Sequence, residues 1–124
     1  MDKPKILIVE DDVDLRRGLN LRLRTNHYET AYASDGFSAV AMAHKDRPDL
    51  ILLDLGLPAG DGFSVMERLQ QSASLSNIPV IVLTAKKDMR DAFLPSPNIV
   101  DFIEKPFDPV TLRARVKWAL GKSS

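Results

Sequence analysis

A chain of 124 residues without a single cysteine forms no disulfides or thiolate metal sites and offers no thiol nucleophile. With 44% hydrophobic and 27% charged residues it has a globular composition, and a chain of this length hides about two-thirds of its unfolded surface on folding. Seventeen basic residues balance seventeen acidic ones, so no global field draws in nucleic acid or anionic lipid, and no apolar run approaches the roughly 18 residues of a membrane span.

The opening segment, Met1-Asp2-Lys3-Pro4-Lys5, leads into only four apolar residues, Ile6-Leu7-Ile8-Val9, too few for a signal peptide. That run reads as a strand and stops at Glu10-Asp11-Asp12. Leu15, Leu19 and Leu23 then recur every four residues between Arg16, Arg17, Arg22 and Arg24, the pattern of an amphipathic helix with the arginines on a solvated face. Tyr28 to Ala33 reads as a second, less apolar strand suited to a sheet edge. A helix from Asp35-Gly36 is expected to turn Phe37, Val40, Ala41 and His44 to one face. Leu50-Ile51-Leu52-Leu53 is a third strand, stopped by Asp54 and followed by a loop with Gly56, Pro58, Gly60 and Gly62. Helical spacing returns at Phe63, Met66, Leu69 and Gln70.

Pro79 introduces the fourth strand, Val80-Ile81-Val82-Leu83, which ends at Thr84. A short polar helix is expected from Lys87 to Leu94, cut off by Pro95 and Pro97. Ile99 to Ile103 reads as a fifth strand before Glu104-Lys105-Pro106. Asp108-Pro109 is a strong helix start. Val110, Leu112, Val116, Ala119 and Leu120 then supply an apolar face until Gly121.

Five strand-like runs thus alternate with five helix-like runs. Strands that are apolar throughout suit a parallel sheet covered on both faces, and right-handed crossovers make this a doubly wound α/β sandwich. The expectation is one domain over 1–124, with a core at 5–120 and 121–124 as a tail or linker stub.

In such a sheet, ligands bind beyond the carboxyl ends of the strands, where the strand order reverses. Those ends deliver Glu10 and Asp11, Asp54, Thr84 and Lys105. In the common order 2-1-3-4-5, strands one and three are neighbours about 4.8 Å apart, which crowds three carboxylates together. Like charges raise each other's pKa values, and a hard divalent cation would relieve them. Few oxygen ligands suit Mg²⁺ or Mn²⁺, which share coordination with phosphate. The Thr84 hydroxyl and the Lys105 ammonium suit phosphoryl oxygens, and Asp54 suits a carboxylate nucleophile that forms an aspartyl-phosphate. Taken singly, the acidic pair also reads as a helix cap, Asp54 as a turn residue, Thr84 as structural and Lys105 as a solvated charge. Together, at successive strand ends, they are hard to explain that way.

The runs Ile-Leu-Ile-Val-Glu-Asp-Asp at 6–12, Leu-Leu-Asp-Leu-Gly-Leu-Pro at 52–58, Asp-Gly-Phe at 61–63, Pro-Val-Ile-Val-Leu-Thr-Ala at 79–85 and Lys-Pro-Phe at 105–107 resemble the receiver domain of two-component response regulators. The resemblance runs from about Lys5 to Leu120. It implies a flavodoxin-like fold with five parallel strands in the order 2-1-3-4-5 and five helices. It also implies a signalling phosphoacceptor, not a turnover enzyme, in which Asp54 accepts a phosphoryl group from a histidine kinase, a phosphotransfer protein or a small phosphodonor. Asp11 and Asp54 would hold Mg²⁺ directly, Glu10 through water, and the main chain of Gly56 would contribute. Thr84, Lys105 and the main chain of Leu55 would bind phosphoryl oxygens. Phe102 occupies the switch aromatic position, usually Tyr, and would move with Thr84 to bias the surface of the fourth helix, fifth strand and fifth helix. The Lys105-Pro106 bond is expected to be cis.

The chain departs from the family between Thr84 and Lys105, where Ala92-Phe93-Leu94-Pro95-Ser96-Pro97-Asn98 implies a short or irregular fourth helix. Gly56 and Lys86 flank the site and are expected to help set the phosphoryl lifetime. A cytoplasmic location is expected, with a C-terminal effector domain or a separate protein target downstream, and phosphorylation could drive homodimerisation. No direct contact with nucleic acid or membrane is expected.

Other readings fit less well. A haloacid-dehalogenase-like phosphatase needs Asp where Glu10 stands and room for a cap domain. A dinucleotide site needs a Gly-rich first turn, and Glu10-Asp11-Asp12-Val13 is acidic there. A receiver-like module that signals or dimerises without phosphorylation is the remaining alternative. His27 and His44 have no partners at metal-ligand spacing, and Trp118 reads as an anchor of the last helix.

Overall fold

Side-chain chemistry sorts the strands between the middle of the sheet and its edges. The computed structural model describes residues 3–57, 61–85 and 98–122. Three nearly pure apolar runs, β1 (Lys5–Val9), β3 (Leu50–Asp54) and β4 (Val80–Thr84), form the centre. The more polar β2 (Glu29–Ala33) and β5 (Ile99–Glu104) take the two edges. All pairings are parallel, in the order β2-β1-β3-β4-β5. A central strand must satisfy an apolar layer on each face, so continuous Leu, Ile and Val are stable only there.

Four helices lie among the described residues: α1 (Val13–Thr25), α2 (Gly36–Asp46), α3 (Asp61–Gln71) and α4 (Pro109–Lys122). The expected helix over 87–94, with Pro95 and Pro97, falls outside the described residues, so α4 corresponds to the fifth expected helix. Among the described residues, no helix is long and apolar enough to cross a membrane.

Side-chain alternation divides the core in two. Leu7, Val9, Ile51, Leu53, Val80 and Val82 pack with residues of α2 and α3, including Ala39, Ala43, Met66 and Leu69. Ile6, Ile8, Leu50, Leu52, Ile81 and Leu83 pack with Leu19 and Leu23 of α1 and with Leu112, Val116 and Ala119 of α4. Each fully buried aliphatic side chain contributes about 1.5–3 kcal/mol of transfer free energy.

Three aspartates start helices. Asp12 accepts the Leu15 amide at 3.1 Å, Asp35 the Ser38 amide at 2.7 Å and Asp108 the Thr111 amide at 2.7 Å. Each satisfies an amide that lacks an intrahelical partner. The bonds from Thr111 hold the Asp108 carboxyl below its ordinary pKa.

Several details differ from the periodicity. On α2 the buried residues are Gly36, Ala39 and Ala43, whereas Phe37 is 78% exposed and Ala41 and His44 face solvent. Small residues let α2 lie close against the sheet, and a bulky face would hold it off. On α4, Val110 is exposed and Gly121 lies inside the helix instead of ending it. On α3, Val65 is buried and Gln70 is exposed. β2 begins at Glu29, one residue later than expected, and β5 extends to Glu104.

Candidate functional site

A parallel sheet delivers every strand's carboxyl end to the same side, and main-chain hydrogen bonds continue that order just past the strands. The Glu10 amide donates to Ala33 O at 3.1 Å, the Leu55 amide to Leu83 O at 3.0 Å, and the Lys105 amide to Thr84 O at 2.7 Å. The register pairs Val9 with Leu53 and Asp54 with Leu83. Residues 10, 54, 84 and 105, dispersed in sequence, therefore stand on adjacent strand ends.

Their side chains meet around one ammonium group. Lys105 Nζ lies 2.9 Å from Asp54 Oδ1 and 3.1 Å from Glu10 Oε2. Glu10 is 1% exposed and Asp54 3%, while the Lys105 side chain keeps 21% of its surface. The Asp12 amide donates to Glu10 Oε1 at 3.1 Å, and the Gly56 amide to Asp54 Oδ1 at 2.9 Å. Asp11 is exposed at the mouth. One carboxylate oxygen from each of Glu10, Asp11 and Asp54 lies within 4.8 Å of the others. Three carboxyl groups share a single lysine, and the donors are all hard oxygens. That set fits a small divalent cation of the Mg²⁺ type.

Burial is the first cause that raises the Glu10 pKa, to about 7 from 4.5. The nearby Asp54 carboxylate raises it further, against the Asp12 amide and Lys105, which favour the charged form. For Lys105, burial lowers the pKa, but hydrogen bonds and charge from Asp54 and Glu10 outweigh it and the net shift is upward.

Two glycines give the Asp54 end its clearance. A Cβ on Gly56 would stand 3.3 and 3.4 Å from the two Asp54 carboxylate oxygens. A Cβ on Gly62 would stand 3.2 Å from Leu55 Cα and 3.3 Å from Asp54 O, so the main chain after β3 would have to give way slightly for α3 to begin there.

Glu10, Asp11, Asp54 and Lys105 thus come together as a charged cluster. Thr84 is buried at the end of β4, next to β3. Leu55 and Gly56 directly follow Asp54, and the Lys105-Pro106 peptide bond is cis. Phe102, three residues before Lys105, pairs with Val82 and packs partly buried on the α2/α3 side of the core. His27 and His44 are exposed and Trp118 is half-exposed. Lys86 lies outside the described residues. Sequence pattern missed two residues. Gly62 was visible in Asp-Gly-Phe at 61–63 but carried no assigned role there. Arg16 was placed on a solvated face, yet its Nη1 donates to the Glu10 carbonyl at 3.3 Å.

Comparison with known proteins agrees with this geometry. The family described as "Response regulator receiver domain" matches residues 6–117. The DNA-binding response regulator MtrA of Mycolicibacterium paratuberculosis is 38% identical over 122 residues, covering 98% of this chain and 53% of that protein. The chain spans about half the length of the curated transcriptional regulators it matches. The signal receiver domain of a signal transduction histidine kinase from Syntrophus aciditrophicus is 36% identical with a TM-score of 0.84, over 96% of this chain and 91% of that one. The receiver domain of a sensor histidine kinase from Pseudomonas aeruginosa, solved with a magnesium ion coordinated in its active-site cleft, is 30% identical with a TM-score of 0.86, over 96% and 98%. From a family match over nearly its whole length and relatives alike in both sequence and backbone, this chain belongs to the receiver domains of two-component response regulators.

Proposed function

We propose that the chain is a phosphoacceptor: Asp54 takes a phosphoryl group from the phosphohistidine of a kinase or phosphotransfer protein, or from a small phosphodonor. A carboxylate oxygen of Asp54 attacks phosphorus and forms the acyl-phosphate bond while the bond from phosphorus to the donor breaks, its electron pair leaving with the imidazole of a phosphohistidine or with the leaving group of a small phosphodonor. The observation that carries this reading is the carboxylate of Asp54 at the mouth of the sheet, 2.9 Å from Lys105 Nζ and grouped with Glu10 and Asp11.

Asp11, Asp54, the Gly56 carbonyl and, through water, Glu10 would hold Mg²⁺; when bound it neutralises charge that develops on the phosphoryl oxygens. Lys105 Nζ orients Asp54 before reaction and pairs with a phosphoryl oxygen afterwards. Thr84 and the Leu55 amide bind the other oxygens. As Thr84 moves toward the added charge, Phe102 follows and biases the surface of β5 and α4.

Phosphoryl loss by hydrolysis resets the switch, so the chain signals and does not turn over an external substrate. A cytoplasmic location for this chain, a partner histidine kinase and an effector domain or separate target complete this reading. The length of the matched transcriptional regulators supports an effector in the same chain.

The test is titration with beryllofluoride and Mg²⁺, followed by amide chemical shifts. Saturable shifts at Asp54, Thr84 and Phe102, abolished by Asp54→Ala, are expected. An unresponsive wild-type chain overturns the proposal in favour of a phosphorylation-independent module.

A further inference from the structure

Arg16 is a cation near the amino end of a helix, where the macrodipole disfavours positive charge. Glu10, Asp11, Asp12 and Asp14 all stand within six positions of it in sequence, yet among the described residues Arg16 forms no ion pair within 4.0 Å. Its guanidinium stands 4.5 Å from the centroid of the Tyr32 ring, and its Nη1 donates to Glu10 O at 3.3 Å. Tyr32 is 57% exposed, at the edge strand β2, with one ring face covered by this cation.

The Glu10 segment is consequently held at both of its main-chain groups. Its amide donates to Ala33 O, and its carbonyl accepts from Arg16. That carbonyl belongs to the planar peptide unit that continues into Asp11, so holding it fixes the Asp11 nitrogen and Cα, the base from which that side chain leaves the chain. Among the described residues the Asp11 carboxylate has no hydrogen-bond partner of its own, so its placement depends on the main chain.

We infer that Arg16, braced by the Tyr32 ring, is a positioning residue for the divalent-cation site, aiming Asp11 through the Glu10–Asp11 peptide. The inference rests on the cation-binding reading above. Partners that orient a metal ligand directly are worth about 10–100-fold in affinity, and a partner acting through the main chain should be worth less.

The experiment measures the Mg²⁺ dissociation constant from amide shifts of Asp11 and Gly56, with thermal unfolding in EDTA recorded alongside. Arg16→Ala should raise the constant roughly three- to tenfold. Tyr32→Leu should raise it about twofold, and Tyr32→Phe, which keeps the ring face, should leave it unchanged. Wild-type affinity in folded Arg16→Ala overturns the inference, as does a change in unfolding midpoint alone. Should Arg16→Ala not fold, the contrast between Tyr32→Leu and Tyr32→Phe decides the question, and equal values overturn the brace. A wild-type chain that binds no Mg²⁺ removes the cation site itself, an outcome distinct from a site that binds without help from Arg16.

Discussion

The middle of the sheet and the Glu10 and Asp54 side chains at its carboxyl end are both hidden from water but built on opposite chemistry. Along β1, β3 and β4, up to Asp54 and Thr84 at the last positions, the buried side chains are aliphatic, and each stabilises the fold by leaving solvent. One residue further on, Glu10, Asp54 and Lys105 are held in charged contact, and burial there works against two like charges. The interior supplies stability that offsets the cost of holding those charged groups together.

The sharpest way to separate the two regions is a cavity in the interior. Leu52 is fully buried, and Leu52→Ala should lower unfolding free energy by about 2–5 kcal/mol in denaturant titrations while leaving Mg²⁺ affinity of the folded protein unchanged. At the carboxyl end, Lys105→Met leaves Glu10 and Asp54 facing each other and should cost about 2–3 kcal/mol at pH 8, less than for a fully enclosed pair because Lys105 keeps some solvent contact. Mg²⁺ should recover part of that loss, whereas it should recover none for Leu52→Ala.

The pH response sharpens the contrast. Because folding raises the Glu10 pKa from 4.5 to about 7, the folded chain binds that proton more tightly than the unfolded chain. The resulting stability is fully present below about pH 4.5 and is lost as pH rises through about 7. Proton and cation compete, so Mg²⁺ affinity should climb with pH and level off above about 7. Glu10→Gln should flatten the contribution in both thermal melts and metal titrations. The smallest effect is expected for Gly56→Ala. Its added carbon crowds the Asp54 oxygens and should slow phosphoryl uptake about two- to tenfold, measured with a small phosphodonor, with little change in stability.

The central strands were legible because burial on both faces demands uninterrupted apolar runs, whereas the strand order came from the common arrangement of doubly wound sheets and from the family resemblance. The site was legible for a related reason: abrupt acids after those runs mark strand ends, and a parallel sheet gathers strand ends. Adjacent acids were harder to tell apart. Asp11 and Asp12 differ by one position, yet Asp12 caps α1 and Asp11 faces the site, a distinction that depends on where the helix begins. The α2 face was misread because alanine and glycine, weak markers of hydrophobicity, are the residues that permit close approach there. Arg16 escaped notice because a contact to a main-chain carbonyl leaves no pattern in residue types.

Lys105 reaches across 51 positions to Asp54 and 95 positions to Glu10. A nascent polypeptide still short of that lysine as it leaves the ribosome has both acids but not the ammonium that orders them. The charged cluster is therefore complete only after β5, the last strand in chain order, has docked beside β4.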